Sequence, residues 1–79
     1  MIIDGVKFSY MESKVIEVLM QNENRRISYK ELMDLCFESE GGIRCHISKI
    51  NKKLPDLIGN EYRKGYYLKR RIEVIEHKK

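Results

Sequence analysis

The sequence predicts one small α+β domain over residues 1–79, built from a short N-terminal β-ribbon, three helices and a C-terminal β-hairpin. An Asp-Gly pair between short apolar segments predicts the ribbon. Apolar residues at helical spacing behind Ser-x-x-Glu boxes predict helices, and aromatic and β-branched residues around an Arg-Lys-Gly turn predict the hairpin. Because so short a chain has little interior for a substrate cavity, a binding module is favoured over an enzyme.

The ribbon and helix 1 follow from local signals. Asp4-Gly5 favours a tight hairpin turn because both residue types accept positive φ. Ser9 and Glu12 match a capping box, which begins helix 1 over residues 10–21. Its expected apolar face is Met11, Val15, Val18 and Leu19.

A second Ser-x-x-Glu box, from Ser28 to Glu31, predicts helix 2 over residues 28–37, and Ile27 stands where a hydrophobic staple residue would. Phe37 is expected in the core. The predicted buried side of the helix holds Tyr29, Leu32, Leu35 and Cys36.

Helix 3 is predicted over residues 43–54. Gly41 and Gly42 each cost about 1 kcal/mol inside a helix, so the helix is expected to begin after them, and Pro55 ends it. Its apolar stripe is Ile43, Ile47, Ile50 and Leu54. The opposite face presents Cys45, Ser48, Lys49 and Lys52, with Arg44, His46 and Lys53 toward the flanks.

The C-terminal hairpin is predicted over residues 57–75, around the turn Arg63-Lys64-Gly65. The stretch Leu68–His77 either lengthens the second strand or adds another. Three tyrosines are expected to pack the hairpin onto the helices rather than to stack on single-stranded bases: Tyr62, Tyr66 and Tyr67.

Charge is divided unevenly along the chain. Residues 1–40 carry five basic and eight acidic side chains, whereas residues 41–79 carry eleven and four, for a total net charge of +4. A basic half favours a polyanion partner, with nucleic acid first and an anionic membrane surface second. No apolar run is long enough to span a bilayer and no secretion signal is present, so a cytoplasmic protein is expected.

Two cysteines, Cys36 and Cys45, are expected as free thiols, since neither lies in a zinc-ligand spacing. No Ser-His-Asp or Cys-His arrangement that the predicted fold would bring together is recognisable. We therefore expect no catalytic activity, no metal and no cofactor.

A ribbon, three helices and a basic hairpin in this order are typical of a winged helix-turn-helix, in which helix 3 enters the major groove. The segment 43–54, Ile-Arg-Cys-His-Ile-Ser-Lys-Ile-Asn-Lys-Lys-Leu, resembles the recognition-helix motif Val-Asp-x-His-Ile-x-Arg-Leu-Arg-x-Lys-Leu of OmpR/PhoB-type response-regulator effector domains. Phe8–Leu19, Ile27–Leu32 and Gly65–Leu68 resemble the first helix, the second helix and the end of the wing in that family. The resemblance covers about residues 4–68.

This resemblance implies a transcriptional regulator that binds double-stranded DNA as a homodimer or tandem pair. The small size and the expected lack of a receiver domain favour a regulator of phage, plasmid or horizontally acquired bacterial type. The chain also departs from the family pattern. Tyr62 replaces the wing arginine and Arg63 the first wing glycine, while Lys49 and Asn51 stand at the two motif arginines. In addition, the loop Glu38–Gly42 is shorter than the family loop that meets RNA polymerase in activators.

The lysines are expected to contact phosphates, and Asn51 or Arg44 to reach a base edge. Cys45 suits a thymine methyl, with a redox switch as the alternative, and the resemblance places His46 beside phosphates. The full predicted DNA-binding set is Arg44, Cys45, His46, Ser48, Lys49, Asn51, Lys52, Lys53, Arg63 and Lys64. The alternative hypothesis is a protein-interaction module that modulates another regulator or RNA polymerase without reading DNA.

Overall fold

The computed structural model describes residues 1–70 and 72. Its elements are β1 (Ile2–Ile3), β2 (Val6–Lys7), α1 (Tyr10–Gln21), α2 (Tyr29–Cys36), α3 (Glu40–Lys53), β3 (Ile58–Glu61) and β4 (Gly65–Leu68). The predicted α+β class is confirmed as three helices and two small antiparallel hairpins. Most of the predicted strand extension between Arg70 and His77 lies outside the described residues.

The N-terminal hairpin forms around the predicted turn. Ile3 pairs with Val6, and between them Asp4 and Gly5 have φ values of 53° and 78°. A carboxylate oxygen of Asp4 lies 2.5 Å from the guanidinium of Arg70, so an ion pair ties this hairpin to the far end of the described chain.

The two predicted capping boxes differ. At α1 the box is complete, because Ser9 Oγ accepts from the N–H of Glu12 and the Glu12 carboxylate accepts from the N–H of Ser9. At α2 only half is present: Ser28 Oγ accepts from the N–H of Glu31, whose carboxylate lies 2.6 Å from Arg25 instead. The cap of α2 therefore satisfies only one backbone N–H group, that of Glu31.

The core lies between the three helices and the base of the second hairpin. The predicted stripe of α3 is confirmed, since Ile43, Ile47 and Ile50 are buried and Leu54 is partly buried. Residues from β1, α1, α2, β3 and the connecting segments complete the core: Ile3, Phe8, Val15, Ile16, Leu19, Ile27, Leu32, Cys36, Leu57 and Ile58.

Two predicted core residues of α2 were placed wrongly. Leu35 is 47% exposed and Phe37 is 87% exposed. The inward stripe of this short helix runs through Leu32 and Cys36, and at about 100° per residue Leu35 falls at its margin. The backbone of Phe37 is left-handed, with φ at 54°, so the chain turns out of the helix and takes the ring with it.

The predicted start of the third helix was also wrong, because α3 begins at Glu40 and includes Gly41 and Gly42. Ser39 is the N-cap, and its hydroxyl accepts from the N–H of Gly42 at 3.2 Å. A Cβ on Gly42 would lie 2.8 Å from the Glu38 side chain, so glycine leaves room for that carboxylate. The connection between α2 and α3 is consequently only residues 37–39.

The predicted C-terminal hairpin is confirmed, with four pairs in antiparallel register. Tyr67 stands opposite Gly59, and its ring lies where a Cβ on that glycine would be. On its other side β4 meets the connection between α1 and α2, where Ile27 and Tyr66 exchange both backbone hydrogen bonds at 2.9 and 2.8 Å. The hairpin is thus fixed against the helices at its base.

Candidate nucleic-acid interface

The outward face of α3 follows from its apolar stripe. Because three isoleucines hold one side of the helix in the core, Cys45, Ser48, Lys49 and Lys52 are exposed on the other. Lys49 and Lys52 have no carboxylate within ion-pair distance among residues 1–70 and 72. Two uncompensated positive charges therefore project from this face.

An open groove runs between α3 and the C-terminal hairpin, and we call it the α3–hairpin groove. Its main part has a volume of about 470 Å³ and is lined by Tyr29, Arg44, Ile47, Ser48, Asn51, Lys52, Asn60 and Tyr66. A second part of about 330 Å³ extends toward the hairpin turn and adds Ser28, Glu61, Arg63, Lys64 and Gly65. Six of the ten predicted contact residues border this groove.

Two tyrosines shape the wall between these parts. The rings of Tyr29 and Tyr66 meet edge to face, with centroids 5.5 Å apart and an interplanar angle of 73°. Burial, with the neighbouring Tyr29 phenol acting in the same direction, raises the pKa of Tyr66 to about 12. The groove therefore keeps a neutral phenol beside its cations at physiological pH.

Arg44 lies where the two parts of the groove meet. Its Nη2 is 3.1 Å from a carboxylate oxygen of Glu40, one helical turn earlier. Its guanidinium carbon is 4.8 Å from the ring centroid of Tyr29. The hydrogen bond to Glu40 is the main cause that raises the pKa of Arg44, so the side chain stays fully charged. Glu40 and the ring of Tyr29 hold it on two sides.

The hairpin turn carries further cations. Arg63 is the exposed residue at the turn with φ of 65°, and its guanidinium lies 5.2 Å from the ring of Tyr62. Lys64 Nζ is 3.7 Å from Glu61, which also accepts from Arg26 at 2.6 Å. The hydrogen bond from Arg26, ahead of the other contacts, lowers the pKa of Glu61. The turn is thus positive, with one carboxylate at its base.

The three hairpin tyrosines have different environments. Tyr66 packs on Tyr29 as expected, and Tyr67 packs across Gly59 with Arg26 stacked 3.9 Å from its ring centroid. Tyr62, however, is 81% exposed, so the expectation that it packs onto the helices was wrong. It stands in the turn beyond the last residue of β3, where no helix reaches it.

Lys53 does not belong to the outward face. Its Nζ donates to Glu12 Oε1 at 2.8 Å and to the carbonyl oxygen of Lys7 at 3.0 Å. It also lies 5.2 Å from the ring centroid of Phe8. This lysine thus joins α3 to the beginning of α1 and lies on the flank away from the groove.

His46 lies on that same flank. Its side chain is only 17% exposed, and Nε2 is 2.9 Å from a carboxylate oxygen of Glu38. The hydrogen bond from His46 is the largest influence on the Glu38 carboxyl group and lowers its pKa. Burial acts in the opposite direction, and the N–H of Ser39 supports the lowering. The ring thus faces a carboxylate, which repels a phosphate at that position.

Sequence reasoning did not assign Tyr29 and Asn60 to the groove that they line, or Glu40 to its ion pair with Arg44. Asn60 stands opposite Tyr66 in the hairpin, so the register of the strands was the signal that could have found it. Asn51 was predicted as a contact residue, and it lines the groove. Its side-chain oxygen is buried without a hydrogen-bond partner in the described part of the chain.

The described residues contain no group of three histidine, cysteine, aspartate or glutamate side chains placed to hold a metal ion. Cys36 is buried and Cys45 is exposed, and both are free thiols. Burial, more than the neighbouring charges, raises the pKa of Cys36. No helix in the described residues is long and apolar enough to cross a membrane.

No protein-family model matches this chain, and no curated protein sequence matches it significantly. The function is therefore inferred from the α3–hairpin groove and the side chains around it.

Proposed function

We propose that this protein is a winged helix-turn-helix transcriptional regulator that binds double-stranded DNA. In this proposal α3 enters the major groove and the β3–β4 hairpin is the wing on the backbone or minor groove. The observation that carries it is one open groove bordered on one side by the cations of α3 and on the other by those of the hairpin turn.

The dimensions and charges agree with this proposal. An α-helix with its side chains is about 10–12 Å across and fits the major groove, which is about 12 Å wide. The 14 residues of α3 extend for about 21 Å. Lys52 and Arg63 border the α3–hairpin groove on its two sides, and Lys49 projects from the exposed face of α3 beside it. All three side chains suit phosphate oxygens. Each phosphate neutralised by a cation releases counterions. The logarithm of the binding constant then falls more steeply with the logarithm of the salt concentration, by about 0.9 per phosphate.

The resemblance to OmpR/PhoB-type domains supports the same arrangement, because the motif residues 43–54 coincide with most of α3. It also supports binding as a homodimer or tandem pair on repeated half-sites. Lys53 and His46 are left out of the proposed contact set, since both are held by carboxylates on the far flank. Cys45 and Ser48 remain in it as exposed neighbours of the two lysines.

A titration with labelled duplex DNA over a salt series tests the proposal. The duplex is first selected from a randomised pool by the wild-type protein. The double variant Lys49→Ala/Lys52→Ala is expected to lose roughly 10- to 100-fold in affinity. Its affinity is also expected to depend less steeply on salt, with a logarithmic slope shallower by about two. Lys7→Ala/Lys69→Ala is the charge-matched control, because both lysines are exposed and lie outside the α3–hairpin groove.

Three outcomes are informative. Loss confined to the α3 double variant, together with an enriched sequence containing repeated half-sites, supports a sequence-specific regulator. Equal losses in both double variants mean that only total charge matters, which contradicts the proposed interface. A wild-type protein that binds no duplex at low salt contradicts DNA binding altogether.

A different surface supports the second candidate function, a protein-interaction module acting on another regulator or RNA polymerase. Tyr10 and Phe37 are 74% and 87% exposed, and Lys14 Nζ lies 5.3 and 5.9 Å from their ring centroids. Exposed aromatic rings are enriched at protein interfaces. Purified RNA polymerase binding that is lost in Phe37→Ala and retained in the α3 double variant would favour this function.

A further inference from the structure

Arg44 differs from the two exposed lysines of α3, Lys49 and Lys52, in its charge balance. Lys49 and Lys52 carry charges that no described carboxylate offsets, whereas Arg44 is paired with Glu40 at 3.1 Å. A phosphate that approaches Arg44 also approaches the Glu40 carboxylate, which repels it. Arg44 is therefore poorly suited to phosphate binding, although it stands at the centre of the groove.

Its hydrogen-bonding capacity is nevertheless largely open. Glu40 engages only Nη2, and the side chain of Arg44 is 64% exposed. The guanidinium is planar and has five N–H donors in a fixed fork. Glu40 on one side and the Tyr29 ring at 4.8 Å on the other restrict its orientation, and Tyr66 in turn supports Tyr29.

Resting on the proposed function, we infer that Arg44 reads a guanine in the bound DNA and that Glu40 and Tyr29 are its positioning residues. A guanidinium matches guanine O6 and N7 through two parallel hydrogen bonds from one planar fork, a fixed geometry that the ammonium group of lysine lacks. Arg44 is the fifth residue of α3 and so lies near its N-terminal end. In a helix-turn-helix, the N-terminal residues of the recognition helix contact the base edges. Lys49 and Lys52 then supply affinity, and Arg44 supplies sequence preference.

The test replaces N7 of guanine by carbon. After selection of a duplex by the wild-type protein, 7-deazaguanine is placed at each enriched guanine in turn. At one of these positions the wild-type affinity is expected to fall roughly 5- to 100-fold. In Arg44→Ala the same substitution is expected to change the affinity less than about twofold, because the N7 contact is already lost.

Arg25→Ala is the matched control. Arg25 is also an exposed arginine paired with a glutamate, at 2.6 Å from Glu31, but it lies in the connection between α1 and α2 outside the groove. It is expected to show the full wild-type penalty for 7-deazaguanine. Circular dichroism checks that each variant is folded.

Glu40→Gln tests the positioning role separately. Without its carboxylate partner Arg44 gains access to phosphates, so the affinity for non-specific duplex is expected to rise while the ratio of specific to non-specific affinity falls by roughly 3- to 10-fold. Glu31→Gln, which removes the partner of Arg25, is expected to leave that ratio unchanged. An increase of both affinities by the same factor would show that Glu40 acts only through net charge and would overturn its assignment.

The inference is overturned if the wild-type protein selects a duplex in which no guanine is sensitive to 7-deazaguanine, or if Arg44→Ala retains the full penalty. Both results leave DNA binding itself intact. Failure of the wild-type protein to bind any duplex is a different result, which rejects the proposed function and this inference together.

Discussion

The Nζ atom of Lys53, in the last turn of α3, lies 2.8 Å from Oε1 of Glu12, in the first turn of α1. The same oxygen accepts the N–H of Ser9 at 2.9 Å, so one buried carboxylate closes a capping box and joins two helices. This contact fixes the carboxyl end of α3 relative to α1. The outward face of α3 is thereby held in one orientation.

We expect Glu12→Gln to lower the free energy of unfolding at pH 7 by about 1–2 kcal/mol, because Lys53 loses its charged partner. Burial acts to raise the pKa of Glu12, but Lys53 and the N–H of Ser9 outweigh it, and the pKa lies below 4.5. Stability from the ionised carboxylate is therefore present above about pH 4.5 and is lost as pH falls through the lower folded pKa. Urea titrations at several pH values measure both effects.

Glu17→Gln is the control for that measurement, since Glu17 is exposed on the same helix and is expected to change stability by less than about 0.5 kcal/mol. If Glu12→Gln matched the wild type at pH 7 and kept the same acid transition, the ion pair would contribute nothing.

Phe37→Asn is expected to raise the free energy of unfolding by about 0.5–1 kcal/mol. The φ of Phe37 is 54°, a conformation that asparagine adopts more readily than a bulky residue, and its ring is almost fully exposed. Thermal unfolding followed by circular dichroism measures the change. A loss of stability instead would show that the contact of the ring with Lys14 outweighs the backbone strain.

Gly65→Ala is expected to destabilise the fold by about 2–4 kcal/mol. Gly65 has a φ of 131°, and a Cβ there would lie 2.5 Å from the carbonyl oxygen of Ile27. Gly41→Ala is the contrasting variant, because a Cβ on this helical glycine meets nothing within 4 Å. It is expected to stabilise α3 by about 0.5 kcal/mol, and chemical denaturation of both variants decides the difference.

Alkaline titration provides a fourth prediction. Burial, with the neighbouring Tyr29 phenol acting in the same direction, raises the pKa of Tyr66 from 10.0 to about 12, so the neutral phenol stabilises the fold. That contribution is fully present below pH 10 and is lost as pH rises toward 12. Isotope-labelled tyrosine NMR is expected to detect this late titration, and Tyr29→Phe should bring it to lower pH. A Tyr66 that titrates at 10 in the wild type would contradict the packing of the two rings.

Local chemistry explains which parts of the fold were predictable. The Asp4-Gly5 turn and the box at Ser9 depend on residues within three positions of each other, and both formed as expected. The start of α3 was mistaken because the cost of glycine applies to helix interiors, whereas Gly41 and Gly42 lie in a first turn capped by Ser39.

The candidate site shows where the sequence pattern stops being sufficient. Helical spacing correctly separates the inward isoleucines of α3 from the exposed Lys49 and Lys52. It cannot reveal that Lys53 pairs with Glu12, 41 positions away, because that contact depends on how two helices pack. The same holds for Asn60, whose place in the groove follows from strand register.

The backbone bridge between Ile27 and Tyr66 has a consequence for local motion. Both of their amide protons are held in hydrogen bonds beside a fully buried isoleucine, so exposing them to solvent requires opening the core. Their hydrogen exchange is expected to follow global unfolding, while the turn residues 62–64 exchange through small fluctuations. The hairpin stem then behaves as part of the rigid body of the helices, and its cationic tip retains the freedom to adapt to a bound surface.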